Sequence, residues 1–402
     1  MRTLATILTL AAASAAVADV PRLLISPDLT ERLVRLTAID GDLVEYETET
    51  GLLRREPASG VLALLEPDGA RIVRPEPEGA WLIELTDGQR LFGAPGEGDG
   101  RPDAVAWESR LVGMTYIDLD RIDRIERLGT FGQGNPAEAG SDDLVVLTNG
   151  DVVQGFLLAF GPDGTELDAG GAELVLPLER VASVDLATPE SGPSGVVLRL
   201  ADGSVVAAQS LSPSSAAGVA PGLEVSAAPF GTVSESVSNE ADPFRAALAD
   251  IRSVVFDAAA LRPLSSVEPE QESPVGDRRW TPPMDTVGAD TSPIGAGDLV
   301  IPGPMEIRWR LPEDASRIAF DAELANVGPW AACDLVVLLA DGPETVTELA
   351  RLELSEQTPR GRINEELGGA GLRRLVIRLE PGRFGPIRDR VILRRPLLLI
   401  GE

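Results

Sequence analysis

The side chains that could do chemistry in this 402-residue chain are mainly carboxylates and arginines, with two tyrosines. The sequence contains no histidine and no lysine, and its one cysteine is Cys333. Without histidine there is no Ser-His-Asp or Cys-His nucleophile, and one cysteine cannot form a thiolate zinc cage. Without lysine there is no P-loop and no Schiff base. Paired carboxylates, as in glycoside hydrolysis, are the main catalytic arrangement left.

The carboxylates do not single out a reaction. There are 64 acidic residues, so pairs occur throughout the sequence and no pair stands out. We therefore expect a protein that is not an enzyme. The net charge of −29 argues against nucleic acid as a partner, because phosphate binding needs a basic surface. The same charge favours neutral glycans or cationic partners over anionic polymers.

The first 18 residues have the pattern of a secretory signal peptide. Arg2 precedes the apolar run Leu4–Ala16, and Ala16-Val17-Ala18 is a small-x-small cleavage site. A single membrane anchor is the alternative, but the run is short for a bilayer span. We expect an exported, periplasmic or extracellular protein that does not span a membrane. A lone cysteine cannot form an internal disulfide, so Cys333 is predicted to be a small buried hydrophobe.

Four segments share a hairpin pattern of two alternating strands around an Asp-Gly or Asn-Gly turn. They are Leu33–Glu45, Leu82–Gly93, Leu144–Gly155 and Val196–Ala207, with turn glycines Gly41, Gly88, Gly150 and Gly203. The dipeptides predict type I′ turns. Three of the four units close with a polar step and a β-branched strand, at Tyr116–Leu128, Leu174–Leu186 and Leu248–Phe256. The first unit lacks this closing step.

The repeat of roughly 50 to 60 residues indicates internal duplication. Units of this size are too small to be very stable alone, so we expect small bent barrels packed in pairs or a row. Leu147, Gly150 and Gly155 match the L-x-x-G-x-x-x-x-G hairpin, and the units resemble Sm-like small β-barrels. The predicted organisation is a signal peptide at 1–18, β repeats at 19–78, 79–130, 141–190 and 194–261, a Pro-rich linker at 262–297, and a last domain at 298–402. The fourth repeat carries a long insertion at 212–239.

The last domain has evenly spaced short strands without helical periodicity, which is typical of a β-sandwich. Its strands resemble, in their order, those of the NPCBM family of modules found beside glycoside hydrolase family 98 enzymes. The matching segments are Met305–Pro312, Arg317–Leu324, Leu335–Gly342, Leu372–Leu379 and Asp389–Leu398. The resemblance implies a galactose-binding-like jelly roll and carbohydrate binding. The predicted fold is thus all-β, with Sm-like repeats followed by a jelly roll.

Sugar modules stack an aromatic ring on the apolar face of a pyranose and add a few polar contacts. Trp330, in a loop after Gly328-Pro329, is the best candidate for that ring, with a capping core aromatic as the alternative. Trp280 is ambiguous, and Trp309 is predicted to lie in the core. The polar candidates, which a solvated turn would also explain, are Arg383, Arg388 and Asp389.

Galactose-binding-like folds often hold a structural calcium ion through loop carboxylates and carbonyls. The conceivable ligands here are Asp321, Glu323 and Asp334, and no other cofactor is expected. The leading hypothesis is a non-catalytic exported protein whose last domain binds an envelope or extracellular glycan. The alternative is a structural scaffold that uses its β domains for protein contacts. In that case the jelly roll has a protein partner and no sugar.

Overall fold

The computed structural model describes residues 20–67, 80–98, 103–129, 142–188, 195–214, 222–227, 244–276, 279–288, 292–342, 345–368, 371–386 and 389–401. Within these ranges the chain forms 31 strands and five short 3₁₀ turns, with no α-helix, so the predicted all-β class is confirmed. None of the described elements is a helix long and apolar enough to cross a bilayer. The predicted signal peptide lies outside the described residues.

Residues 20–255 form four units, numbered 1 to 4, of five antiparallel strands each. Unit 1 contains β1 (Val20–Ile25), β2 (Glu31–Asp40), β3 (Leu43–Thr48), β4 (Leu53–Pro57) and β5 (Ala63–Leu65). Unit 2 contains β6 (Trp81–Leu85), β7 (Arg90–Pro95), β8 (Ala104–Ser109), β9 (Gly113–Asp118) and β10 (Ile122–Arg127). Unit 3 contains β11 (Asp143–Leu147), β12 (Val152–Gly161), β13 (Gly164–Asp168), β14 (Glu173–Leu176) and β15 (Val181–Asp185). Unit 4 contains β16 (Val196–Leu200), β17 (Val205–Ser214), β18 (Gly222–Ala227), β19 (Phe244–Ala247) and β20 (Ile251–Val255).

In every unit the first strand pairs with the last, and a 3₁₀ turn precedes the last strand. Unit 1 has this closing step after all, at Ala58–Gly60 and β5, contrary to the prediction. Its sequence there is apolar and small rather than the polar step seen in the other units. The predicted insertion of unit 4 also contains a strand, β18, whose Leu223 and Val225 are buried. Alternation of apolar residues within this Ser- and Ala-rich segment is the signal that was missed.

The four hairpins form where predicted, but their turns are not type I′. Type I′ needs positive φ at both central residues, and among the described residues only the glycine of each turn pair has it. In unit 3 the Gly150 N–H donates to Leu147 O at 2.9 Å, and Leu147 N–H donates to Asp151 O at 2.8 Å. This is a three-residue loop in which the left-handed glycine follows the turn. Units 2 and 4 repeat this pattern, whereas unit 1 has the two-residue loop Gly41-Asp42.

The second glycine of the hairpin motif marks a close crossing of two backbones. A Cβ on Gly155 would lie 2.4 Å from Asp168 O of β13, and one on Gly93 would lie 2.3 Å from Glu108 O of β8. Only a residue without a side chain fits there, so this glycine allows the second strand to bend sharply across its neighbour.

Gly155→Ala is expected to lower the free energy of unfolding by ~2 kcal/mol or more, because a backbone carbonyl must move to admit the methyl group. Gly161→Ala, on the same strand, is the matched control, since nothing lies within 4 Å of its Cβ position. Urea denaturation of both variants measures the difference. Equal midpoints for the two variants would contradict this account of the motif.

The four units pack in two pairs through their closing strands. β5 of unit 1 pairs with β20 of unit 4, and β10 of unit 2 pairs with β15 of unit 3. One continuous apolar core runs through all four units. Units too small to be stable alone thus share one hydrophobic interior, as their length predicts.

The C-terminal part is a sandwich of two antiparallel sheets. The first contains β21 (Leu261–Pro263), β23 (Asp285–Val287), β24 (Asp298–Pro302), β26 (Ala315–Leu324), β29 (Arg360–Glu366) and β31 (Arg390–Ile400). The second contains β22 (Pro269–Pro274), β25 (Met305–Arg310), β27 (Ala332–Asp341), β28 (Thr345–Ser355) and β30 (Arg373–Pro381). The inner faces of both sheets enclose a separate core that includes Trp309 and Phe320.

The segment predicted as a linker is part of this sandwich. β21 and β23 belong to the first sheet, and β22 is an edge strand of the second. Proline cannot donate to a strand ladder, but an edge strand tolerates it on its open side. The Pro-rich composition therefore marked edge strands rather than a connector between domains.

The sandwich packs directly on unit 1. A small apolar cluster joins Leu29 and Leu62 of unit 1 to Ala319 and Leu397 of the sandwich. Beside it, the Arg362 guanidinium donates to Leu29 O at 2.8 Å. The two halves of the chain therefore have a packed boundary.

Candidate functional site

Trp330 lies at the end of the sandwich, in the turn Gly328–Ala331 that leads into β27. The Ala331 N–H donates to Gly328 O at 3.1 Å, which makes Pro329 and Trp330 the central residues of the turn. Trp330 has φ +78°, the conformation that type II turns require at this position and that glycine usually supplies. Placing a tryptophan there costs about 1–2 kcal/mol of backbone strain. Trp330 is nevertheless 59% exposed as a residue, so it is not part of the core.

A second aromatic ring stands against Trp330. Phe384, in the loop after β30, meets the indole edge-on, with ring centroids 5.3 Å apart and planes at 75°. The Arg383 guanidinium carbon lies 4.5 Å from the centroid of the Phe384 ring. Trp330, Phe384 and Arg383 together form what we call the aromatic platform. It combines an exposed apolar ring with hydrogen-bond donors at its rim.

The two loops of the platform are locked to each other by backbone contacts. The Gly382 N–H donates to Ala332 O at 3.0 Å, and a Cβ on Gly382 would lie 2.3 Å from that oxygen. The pairing of β27 with β30 sets Cys333 opposite Pro381, which brings both loops to the same end of the sandwich. The platform is therefore supported by two strands rather than by loop contacts alone.

Of the predicted polar residues, Arg383 lies over the Phe384 ring that contacts Trp330, whereas Asp389 lies beneath the surface. Asp389 is 4% exposed, and its backbone oxygen accepts a hydrogen bond from the Gly303 N–H. Its carboxylate acts electrostatically on the Cys333 thiol. Arg388 lies outside the described residues. Phe384 was not predicted, and its only signal was an aromatic residue beside Arg383 in a glycine-containing loop.

Cys333 is buried as predicted. Burial, with smaller contributions from Asp389 and Asp334, raises the pKa of its thiol from 9.0 to about 12. The raised pKa means that the folded state favours the protonated thiol. The contribution of this thiol to the free energy of unfolding is therefore fully present below pH 9 and is lost as the pH rises towards 12.

We expect Cys333 to resist alkylation by iodoacetamide at pH 8 in the native chain, because the reactive species is the thiolate. The same chain unfolded in urea is the control and should react fully. Mass spectrometry counts the adducts, and rapid labelling of the native chain would contradict the buried, protonated state.

The structure does not bring the predicted calcium ligands together. Asp321 and Glu323 lie on β26 of the first sheet, and Asp334 lies on β27 of the second. Each is held by arginine: Asp321 by Arg362 and Arg395, Glu323 by Arg360 and Arg394, and Asp334 by Arg351. Among the described residues no three His, Cys, Asp or Glu side chains form a metal-binding group. The strands place these carboxylates next to arginines. The spacing of the carboxylates in the sequence could not reveal these ion pairs.

The other two tryptophans of the C-terminal part differ in environment. Trp309 is fully buried in the sandwich core, as predicted, whereas Trp280 is 72% exposed. Trp280 has no aromatic partner among the described ring contacts, in contrast to Trp330. The platform around Trp330 is therefore the better candidate site.

No family model and no curated protein matches the chain. Several solved structures are similar to part of it. A CBM51 module from Clostridium perfringens GH95, in complex with methyl-galactose, matches 34% of this chain and 99% of its own, at 13% identity and a TM-score of 0.28. The CBM51-2 and INT domains of Clostridium perfringens ZmpB match 49% of this chain and 44% of theirs, at 10% identity and a TM-score of 0.28. A glycoside hydrolase family 43 arabinoxylan arabinofuranohydrolase from Bacillus subtilis matches 92% of this chain and 76% of its own, at 11% identity and a TM-score of 0.23. Scores this low carry no weight on function.

Proposed function

We propose that this chain is a non-catalytic glycan-binding protein whose site is the aromatic platform of Trp330, Phe384 and Arg383. The observation that carries the proposal is the exposed Trp330 ring held at a strained backbone position. Strained residues persist where the surrounding structure holds them, and they are concentrated at binding sites. The sequence resemblance of this domain to carbohydrate-binding modules points the same way.

The chemistry of the platform fits the two kinds of surface that a pyranose presents. The exposed indole offers a flat apolar surface for the C–H face of the ring. The Arg383 guanidinium supplies fixed N–H donors for hydroxyl oxygens. The net charge of −29 disfavours sulfated or phosphorylated polymers, so the proposed ligand is a neutral glycan.

The scaffold alternative rests on a different feature, the packed β units, and predicts a protein partner without sugar binding. The two functions are separated by a glycan array probed with the full chain. The full chain is used because a fragment with only the predicted last domain, 298–402, would lack β21, β22 and β23 of the sandwich.

We expect selective binding to one class of neutral glycan, with the same signal in calcium and in chelator. Binding lost in chelator would add a metal to the site. No binding by the folded chain to any glycan would contradict the proposal and favour the scaffold.

Export is the second part of the proposal and rests on the signal-peptide pattern of residues 1–18. Mass spectrometry of the chain expressed in a bacterium should find Asp19 as its first residue in the periplasmic or culture fraction. An intact Met1 in the cytoplasm would contradict export.

A further inference from the structure

Units 2 and 4 contact each other through their hairpins in a nearly symmetric way. Arg90 of β7 pairs antiparallel with Val205 of β17. The Phe92 N–H donates to the Ser204 hydroxyl at 3.1 Å, and the Ala207 N–H donates to the Gln89 side-chain oxygen at 2.8 Å. Two side-chain acceptors thus satisfy two backbone donors across the contact.

The symmetry is clear when positions are counted from each turn glycine, Gly88 or Gly203. The first residue after the glycine, Gln89 or Ser204, accepts the hydrogen bond. The second residue, Arg90 or Val205, forms the strand pair, and the fourth residue, Phe92 or Ala207, donates its N–H. The contact is therefore isologous in form, with each hairpin using the same positions. Gln89 and Ser204 are both buried by it.

Unit 3 has the same hairpin, but no described residue covers the positions that units 2 and 4 use for their contact. Its loop has the same three-residue hydrogen bonding, and its strands have the same register, with Val146 opposite Val152 as Glu84 is opposite Arg90. The corresponding three positions are Asp151, Val152 and Gln154, and all three are exposed. Val152 is 54% exposed, whereas its equivalent Val205 is 5% exposed.

The exposed strand continues with apolar residues that a solvated strand would not need. Phe156 is 65% exposed and Leu158 is 42% exposed, whereas unit 4 has the polar Gln209 at the position equivalent to Phe156. Exposed apolar groups that lie next to each other are typical of interaction surfaces. We call the set Asp151, Val152, Gln154, Phe156 and Leu158 the unit 3 face.

We infer that two copies of this chain associate through their unit 3 faces, repeating between chains the contact that joins units 2 and 4 within one chain. On the two-fold axis Val152 of one copy pairs with Val152 of the other. The Asp151 carboxylate of each copy accepts the Gln154 N–H of its partner. A second copy is the proposed occupant because it offers the same hairpin. Unit 1 cannot offer it, because its two-residue loop shifts the positions after the turn glycine.

The acceptor chemistry permits this contact. Asp151 already accepts from the Asn149 side-chain nitrogen at 2.7 Å, and a carboxylate has room for further donors. Electrostatic repulsion opposes the dimer, because each chain has a net charge of −29 and places Asp151 near the two-fold axis. Salt screens this repulsion, so the dimer should be tighter at 0.5 M than at 0.05 M salt.

Cross-linking tests the geometry directly. Val152→Cys in the full chain should give a covalent dimer with a short bismaleimide, because directly opposed strand residues lie within its reach. Val175→Cys on β14 is the matched control and should not cross-link, although Val175 is 63% exposed against 54% for Val152. The native Cys333 is buried and does not compete.

Sedimentation equilibrium tests the association itself. Val152→Asp should weaken dimerisation at least tenfold, while Val175→Asp should leave it unchanged. A chain that stays monomeric up to high micromolar concentration, or a dimer unaffected by Val152→Asp, would overturn the inference. Cross-linking of both cysteine variants alike would also overturn it, because it would indicate random collision.

Discussion

Trp330→Gly is expected to weaken glycan binding about thirtyfold or more without lowering the stability of the chain. Removing the ring removes the platform, and loss of a central buried aromatic contact typically costs ~2 kcal/mol or more, about thirtyfold in Kd. Glycine also relieves the strain of φ +78°, which offsets the loss of the edge-on contact with Phe384. The variant should therefore unfold at a similar or higher urea concentration than the wild type.

This combination separates a binding role from a structural one. If Trp330 were only a capping core aromatic, its removal would lower the unfolding midpoint. Trp280→Gly, at the other exposed tryptophan of the sandwich, is the matched control and should keep full affinity. Calorimetric titration of the glycan identified on the array measures both variants, and undiminished binding by Trp330→Gly would contradict the assigned site.

Arg373→Met is expected to destabilise the sandwich by ~3 kcal/mol or more. Arg373 is 2% exposed, and its guanidinium donates to four backbone carbonyls, those of Glu313, Ala315, Leu367 and Gly368. These oxygens belong to two chain segments, residues 313–315 and residues 367–368. Methionine fills the space but leaves the buried acceptors without donors, each of which costs about 1–3 kcal/mol.

Arg374→Met is the matched control from the next position in the chain. Arg374 is half-exposed and ion-paired with Glu270, an interaction worth about 0–1 kcal/mol at a protein surface. Urea denaturation should show a large shift for Arg373→Met and almost none for Arg374→Met. Similar shifts for the two variants would show that Arg373 is not the internal anchor inferred here.

The difference between these neighbours shows what sequence could not reveal. Arg373-Arg374 looks like a local basic cluster, but successive strand residues face opposite sides, so one guanidinium enters the interior. The interior acceptors come from residues up to 60 positions away. Only the tertiary fold determines which arginine is structural.

The hairpins were predictable because alternation and an Asx-Gly pair are local signals. The turn type was not, since two- and three-residue loops use the same dipeptide and differ only in register. The linker was misassigned because prolines occur both in connectors and in edge strands. Composition therefore located the elements but not their partners.

In the candidate site, the residue with a local sequence signal was predictable, and the residue that depends on strand pairing was not. Trp330 was found from its place after Gly328-Pro329, a local turn signal. Phe384 was missed because only the register of β27 with β30 brings it to Trp330. The three carboxylates considered for calcium were selected without knowledge of the arginines opposite them.

The most direct test of the aromatic platform is acrylamide quenching of tryptophan fluorescence in Trp280→Phe, with and without the glycan. Of the four tryptophans left, Trp81, Trp107 and Trp309 are at most 3% exposed, so quenching reports Trp330. A sugar stacked on the indole should reduce the quenching constant several-fold. Glycan binding with unchanged quenching would place the sugar elsewhere and contradict the central claim.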